Sequence, residues 1–234
     1  MKILLALLAL MLATACHAQN PPSQIAIYGD STIEGATSET GVPTVTTDNA
    51  PAQLQRMLTA AGYNAVVYNY GIGGATTGSL LNGVAGVSQS WVATMSSSTA
   101  NLVIINEGLN DASQMYQGLE TMAQFTANYT QIIQIAQSYG KIVYIETPNP
   151  REDSIPLAYQ ENVNAALWNV VASIPGTRFI SMNQTIVTNF PQWPQHLPGP
   201  GLHPDDTLYT YKAIVELYAL APQLTLIPLP VSEQ

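Results

Sequence analysis

Two hydrophobic periods alternate along the chain. Residues 24–28 (Gln-Ile-Ala-Ile-Tyr) form an apolar run of strand length that stops at Gly29, Asp30 and Ser31. A Thr- and Gly-rich loop over 34–49 follows. A helical spacing then starts at Pro51, with Asp48 or Asn49 as cap, Leu54, Leu58 and Ala61 on one face and Gly62 as the stop. Residues 65–70 read as a second strand running into Gly71-Ile72-Gly73-Gly74, and a helix is expected around Trp91. Residues 102–105 are apolar throughout, as in a strand covered on both faces, and end in Asn106-Glu107-Gly108-Leu109-Asn110-Asp111. Phe125, Tyr129, Ile132, Ile133 and Ala136 recur at helical spacing within 122–139, with Gly140 behind them. Strand four is 142–145, and a helix runs through Val163, Leu167 and Val170. Phe179 and Ile180 mark a short fifth strand. A Pro-rich loop over 190–204 leads to a last helix carrying Ile214, Leu217 and Tyr218, stopped by Pro222.

Strands that alternate with helices imply right-handed crossovers and a parallel sheet covered on both faces. Ligands of such sheets bind at the carboxyl ends of the strands. Ser31, Gly74, Asn110 and His203 follow strands one, two, three and five, so all four are expected at one rim.

Composition narrows what that rim can do. Of 234 residues only 9% are charged, with six Lys and Arg against fifteen Asp and Glu, a formal charge of −9. Six scattered cations build no phosphate-tracking patch, which argues against nucleic acid as a partner. The first eighteen residues read as a signal peptide: Lys2, an apolar stretch over 3–12, and Cys16-His17-Ala18 before a cut that leaves Gln19 first. Residues 12–16 also read as a lipobox with Cys16, the sole cysteine, as the anchor. The expectation is an exported protein, periplasmic or secreted, with one domain over 19–234. No apolar stretch in that region is long enough to span a bilayer.

Ester hydrolysis needs a nucleophile, a base and donors for the tetrahedral oxyanion. Ser31 supplies a hydroxyl and His203 an imidazole that titrates near neutrality. Gly74 offers an unobstructed backbone N–H, Asn110 an amide, and Ser31 its own N–H. No HxH or HExxH spacing suggests a metal site, Gly71-Ile72-Gly73-Gly74 lacks the dinucleotide spacing, and no cofactor is expected. Asp30 and Asp111 are read as braces of their loops, Trp91 as core, and His196 as an exposed loop histidine. Trp193 and Tyr116 are candidate rim aromatics.

Gly29-Asp30-Ser31, residues 69–76, Gly108-Leu109-Asn110-Asp111 and Gly201-Leu202-His203-Pro204 resemble, in order, the four motif blocks of the SGNH (GDSL-type) hydrolases. The resemblance implies a flavodoxin-like three-layer α/β/α sandwich with a five-stranded parallel sheet in the order 2-1-3-4-5. It also implies a serine esterase with Ser31 as nucleophile, Gly74 and Asn110 as oxyanion donors and His203 as base. One block departs from the pattern: Pro200 stands where the family carries an acid three residues before the histidine. A carbonyl within 193–199, Asp205 or Asp206, Glu146 at the end of strand four, and Asp153 are the alternatives for orienting His203. The expected substrate is a small-molecule or glycan ester, either a carbohydrate O-acetyl or other short acyl ester. Leu80, Leu81 and Leu197 near the motif loops would instead suit a lipolytic or acyl-thioester hydrolase. A catalytically silent binding module is the alternative of another class.

Overall fold

The computed structural model describes residues 21–38, 42 and 44–227. The expected leader and Cys16 lie outside the described residues. Five strands form one parallel sheet: β1 (Ser23–Gly29), β4 (Ala65–Gly71), β5 (Leu102–Asn106), β6 (Ile142–Glu146) and β7 (Arg178–Ile180). Their order is β4-β1-β5-β6-β7, which is 2-1-3-4-5 counted along the sheet-forming strands. The loop expected over 34–49 contains a short antiparallel pair, β2 (Ala36–Thr37) with β3 (Thr44–Val45).

Strict alternation within buried strands feeds two cores. Ala26, Tyr28, Val103, Ile105, Val143 and Ile145 face one layer, which holds α4 (Trp91–Ser97), α6 (Met122–Ser138) and α7 (Leu157–Ser173). Ile25, Ile27, Leu102, Ile104 and Tyr144 face the other, with α2 (Ala50–Ala60), α8 (Met182–Asn189) and α9 (Asp206–Leu220). The predicted stripe on α6 is fully buried: Phe125, Tyr129, Ile132, Ile133 and Ala136. Asn49, not Asp48, caps α2, its side chain accepting from Ala52 N at 3.0 Å. Trp91 is core, and its indole N–H is satisfied by the Ile132 carbonyl at 2.8 Å.

Two helices of the second layer show what apolar spacing leaves unread. α8 has no stripe long enough to announce itself and packs through Met182 and Ile186. On α9 the buried face is Leu208, Tyr209, Lys212, Ala213, Glu216 and Leu220, whereas Tyr218 is 77% exposed. Of the apolar residues that marked this helix, Ile214 and Leu217 are partly buried, and the fully buried face instead includes two ionisable residues one turn apart. Lys212 is received there by Asn149 Oδ1 at 3.5 Å, and burial with Glu146 beside it raises the Glu216 pKa, which favours the neutral carboxyl.

Candidate active site

The nucleophile candidate sits at the carboxyl end of β1 on α1 (Ser31–Glu34), a single turn. Asp30 is the N-cap, its carboxylate accepting from Thr32 N at 2.8 Å, and Gly35 (φ 108°) ends the turn with its N–H on the Ser31 carbonyl. As the first helical residue, Ser31 has an N–H without an intrahelical acceptor, which leaves that donor for a ligand. Asn69 ties the turn to β4 by donating to the Ile33 carbonyl at 2.8 Å. Asp30 therefore braces the turn, as its position suggested; burial raises its pKa, and Thr32 opposes that shift.

His203 reaches the nucleophile from 172 residues away, with Nε2 at 3.0 Å from Ser31 Oγ. Burial lowers its pKa from the usual histidine range, against the smaller upward pull of Asp30 and Glu34. A neutral imidazole at pH 7 is the form a general base requires. For Ser31 to donate to Nε2, the ring proton must sit on Nδ1. Nδ1 is buried and has no hydrogen-bond partner among the described residues.

None of the groups expected to orient the ring makes that bond, and each candidate carboxylate has another task. Asp205 accepts from Leu208 N at 2.9 Å as the N-cap of α9, and its second oxygen lies 2.7 Å from His196 Nδ1. Glu146 is buried against Asn106 Nδ2 at 2.5 Å, and Asp153 is held by the Arg151 guanidinium. Asp206 accepts from Thr46 Oγ1 at 3.0 Å. The loop is instead pinned through its backbone. Gly201 O accepts from Glu152 N at 2.7 Å, Leu202 O from Asn149 Nδ2 at 3.4 Å, and His196 O from Asp205 N at 3.0 Å. His196 is thus half-buried and, with Asp205, closes the base of the His203 loop; it is not the free surface histidine expected.

The residues expected as donors lie on adjoining segments. Gly74 lies in the left-handed region (φ 77°), and a Cβ there would meet nothing within 4 Å, so its missing side chain answers to backbone conformation and not to packing. Its loop leads into α3 (Thr77–Asn82) and is fastened to α5 (Leu109–Tyr116). Asn110 Nδ2 donates to Ala75 O at 2.9 Å, which leaves its second N–H for a ligand. Asp111 accepts from Thr77 N at 3.0 Å and Thr77 Oγ1 at 2.6 Å. Burial pushes the Asp111 carboxyl up to about 6. Asn110 is in the first turn of α5, not on a free loop. Gly108 (φ 129°) allows that abrupt start, with a Cβ excluded by Val163 Cγ1 at 2.8 Å.

Beneath the His203 loop lies a cluster that sequence reasoning missed. Asn106, Glu146, Asn149, Lys212 and Glu216 are all fully buried. Asn149 is its hub: it accepts from Lys212 Nζ at 3.5 Å and from Gln160 Nε2 at 2.6 Å while holding the Leu202 carbonyl. Burial raises the pKa of Glu146, which Lys212 opposes, and raises that of Glu216 further, with Glu146 adding to it. The available signal was Lys212 and Glu216 falling, at i and i+4, on the same helical face as Leu208, Tyr209 and Leu220. Tyr116 is half-exposed against Tyr159, and Trp193 packs partly against the second core. Among the described residues, no group of three or more His, Cys, Asp or Glu could hold a metal ion.

A serine hydroxyl within hydrogen-bond reach of an imidazole is the pairing that acyl transfer uses, and comparison with known proteins agrees. The chain matches the GDSL-like Lipase/Acylhydrolase family over residues 27–211. Among solved structures it is similar to a lipase/acylhydrolase from Enterococcus faecalis (19% identity, 88% of this chain and 99% of that one, TM-score 0.70). It is also similar to TesA (22% identity, 85% and 98% covered, TM-score 0.65). A third similar fold is Axe2, an acetyl-xylooligosaccharide esterase from Geobacillus stearothermophilus (17% identity, 85% and 94% covered, TM-score 0.64). No curated protein matches. The family match takes in every loop that carries Ser31, Gly74, Asn110 and His203, and the chain belongs to the GDSL-like lipase/acylhydrolase family of hydrolases.

Proposed function

We propose that this chain is an exported serine esterase that cleaves a carbohydrate O-acetyl or other short-chain carboxylic ester through an acyl-enzyme on Ser31. The observation that carries the reading is the 3.0 Å approach of His203 Nε2 to Ser31 Oγ. His203 takes the hydroxyl proton as Ser31 attacks the ester carbonyl. The N–H groups of Ser31 and Gly74 and the free N–H of Asn110 receive the charge on the carbonyl oxygen. The proton returns to the departing alcohol, and water activated by the same imidazole hydrolyses the acyl-enzyme. Removal of residues 1–18 on export belongs to the same proposal, which the charge pattern of that segment supports.

The lipolytic alternative is weakened by two of the three leucines that suggested it. Leu197 is buried in the second core and Leu81 packs against the first, so neither offers an open acyl trough. Comparing 4-nitrophenyl acetate with 4-nitrophenyl dodecanoate tests the reading. Acetate is expected to be preferred by at least about ten-fold in kcat/KM, because an apolar pocket gains about 1–3 kcal/mol per methylene only where it can hold the chain. Preference for dodecanoate would establish the lipolytic reading, and failure of Ser31 to label with an organophosphonate would establish the silent binding module.

The unpartnered Nδ1 gives a second expected result. The productive tautomer buries an N–H without an acceptor among the described residues, which costs about 1–3 kcal/mol and depletes that tautomer correspondingly. Pro200→Asp restores an acid at the family position and is expected to raise kcat about ten-fold or more. In the parent protein kcat/KM should rise with pH through a midpoint below the usual histidine value, because burial lowers the His203 pKa. The sign follows from the base being active when neutral: activity is lost as pH falls through that midpoint. In Pro200→Asp the midpoint should move upward, since a carboxylate stabilises the imidazolium. A variant with unchanged kcat and an unchanged midpoint would show that position 200 does not reach the ring.

A further inference from the structure

Beside the Gly74 loop, the edge strand β4 leaves part of one face uncovered. Its register pairs Tyr68 with Ala26 and Tyr70 with Tyr28, so both tyrosines lie on the face that carries the first core. Over the inner strands that face is closed by Trp91 and Met95 of α4 and by α6. Over β4 it is not, and Tyr68 and Tyr70 remain 39% and 47% exposed. The rings form a row. Tyr70 stacks on buried Tyr28 at 4.9 Å and 15°, and Tyr68 follows Tyr70 at 6.3 Å and 21°.

All three rings line a cavity of about 420 Å³, whose lining also includes Leu80 and Val87 on its apolar side and Ser88, Gln89 and Thr94 on its polar side. Among the described residues, no charged side chain lines it. Ile72 also belongs to the lining, two residues before Gly74, so the cavity adjoins the oxyanion loop. Ring faces beside hydroxyl and amide groups suit a ligand that is flat and apolar on one side and rich in hydroxyls around its edge. The neutral lining disfavours charge-based recognition.

We propose that this cavity is a subsite for an uncharged pyranose unit of a glycan chain, held on the tyrosine row while a neighbouring unit presents its ester to Ser31. The subsite rests on the carbohydrate-ester reading of the function above, and binding is measured separately from catalysis so that the two can fail independently. Ser31→Ala protein is titrated calorimetrically with xylohexaose and with cellohexaose, neither of which carries an ester. At least one is expected to bind. Adding Tyr68→Ala should weaken that binding about ten-fold, and Tyr68→Trp should restore it, because a ring at this place is what the sugar needs. Thermal melting of each variant checks that the fold is retained, and Tyr70→Ser provides a second variant should Tyr68→Ala fail that check. In the active protein, Tyr68→Ala should raise KM for an acetylated xylo-oligosaccharide about ten-fold more than KM for 4-nitrophenyl acetate. Absence of binding by either hexaose overturns the subsite even if acetyl esters are cleaved. Hexaose binding without any ester cleavage leaves the subsite standing and removes the esterase reading. If Tyr68→Ala raises KM for 4-nitrophenyl octanoate but not for the oligosaccharide, the cavity holds an acyl chain and the proposal is wrong.

Discussion

Ser31→Ala is expected to lower kcat for 4-nitrophenyl acetate by about 10⁴–10⁶ while leaving the melting temperature within about a degree of the parent. The size follows from how the parts act together. Without the hydroxyl no acyl-enzyme can form, and the proposed amide donors can assist only the slow direct attack of water on the ester. Stability should hold because, among the described residues, Ser31 Oγ bonds to Nε2 of His203, while the turn itself is fixed by Asp30 and Gly35. Steady-state kinetics with active-site titration is the check. Residual turnover above a tenth of the parent would assign the nucleophile to another group and remove the proposed mechanism.

Gly71→Ala is expected to cost about 3 kcal/mol or more, a fall of roughly 6–12 °C in melting temperature for a domain of this size. A Cβ at this position would lie 2.0 Å from Glu34 N and 2.5 Å from Ile33 C, both backbone atoms of α1. Backbone cannot swing aside as the end of a flexible side chain does, so β4 and α1 must separate. That separation also strains the Asn69 bond to Ile33 and displaces Ser31 relative to His203. Activity per folded molecule should therefore fall along with stability. A variant that melts within a degree of the parent would mean that α1 shifts freely against the strand. The tight seating of the nucleophile would then be no requirement of the fold.

Chain order and hydrophobic period set the frame before any coordinates. The apolar runs in residues 24–28 and 102–105 mark strands buried on both faces, and a stripe such as Phe125–Tyr129–Ile132 marks a helix on a sheet. Those patterns arise because burial of apolar surface is read one residue at a time and repeats with the local geometry of the backbone. The four motif blocks were equally visible, since a nucleophile, a base and amide donors require particular residue types.

Other features depend on which distant atoms meet. Gly71 looked like part of a loop motif; tertiary packing alone shows that α1 needs the space its missing side chain leaves. The inward face of α9 was not legible in its apolar spacing, because Lys212 and Glu216 become buriable only once Glu146 and Asn149 are brought beneath them from other segments. The fate of Asp205 was open in the sequence, where it lies two residues from His203. The fold gives it to His196 and to the cap of α9, and Nδ1 of the imidazole is left without a partner among the described residues. Local sequence determines which elements form and what chemistry they carry. Partnership among buried polar groups is decided by three-dimensional geometry, because each such group must find a mate within about 3 Å or bear the cost of desolvation.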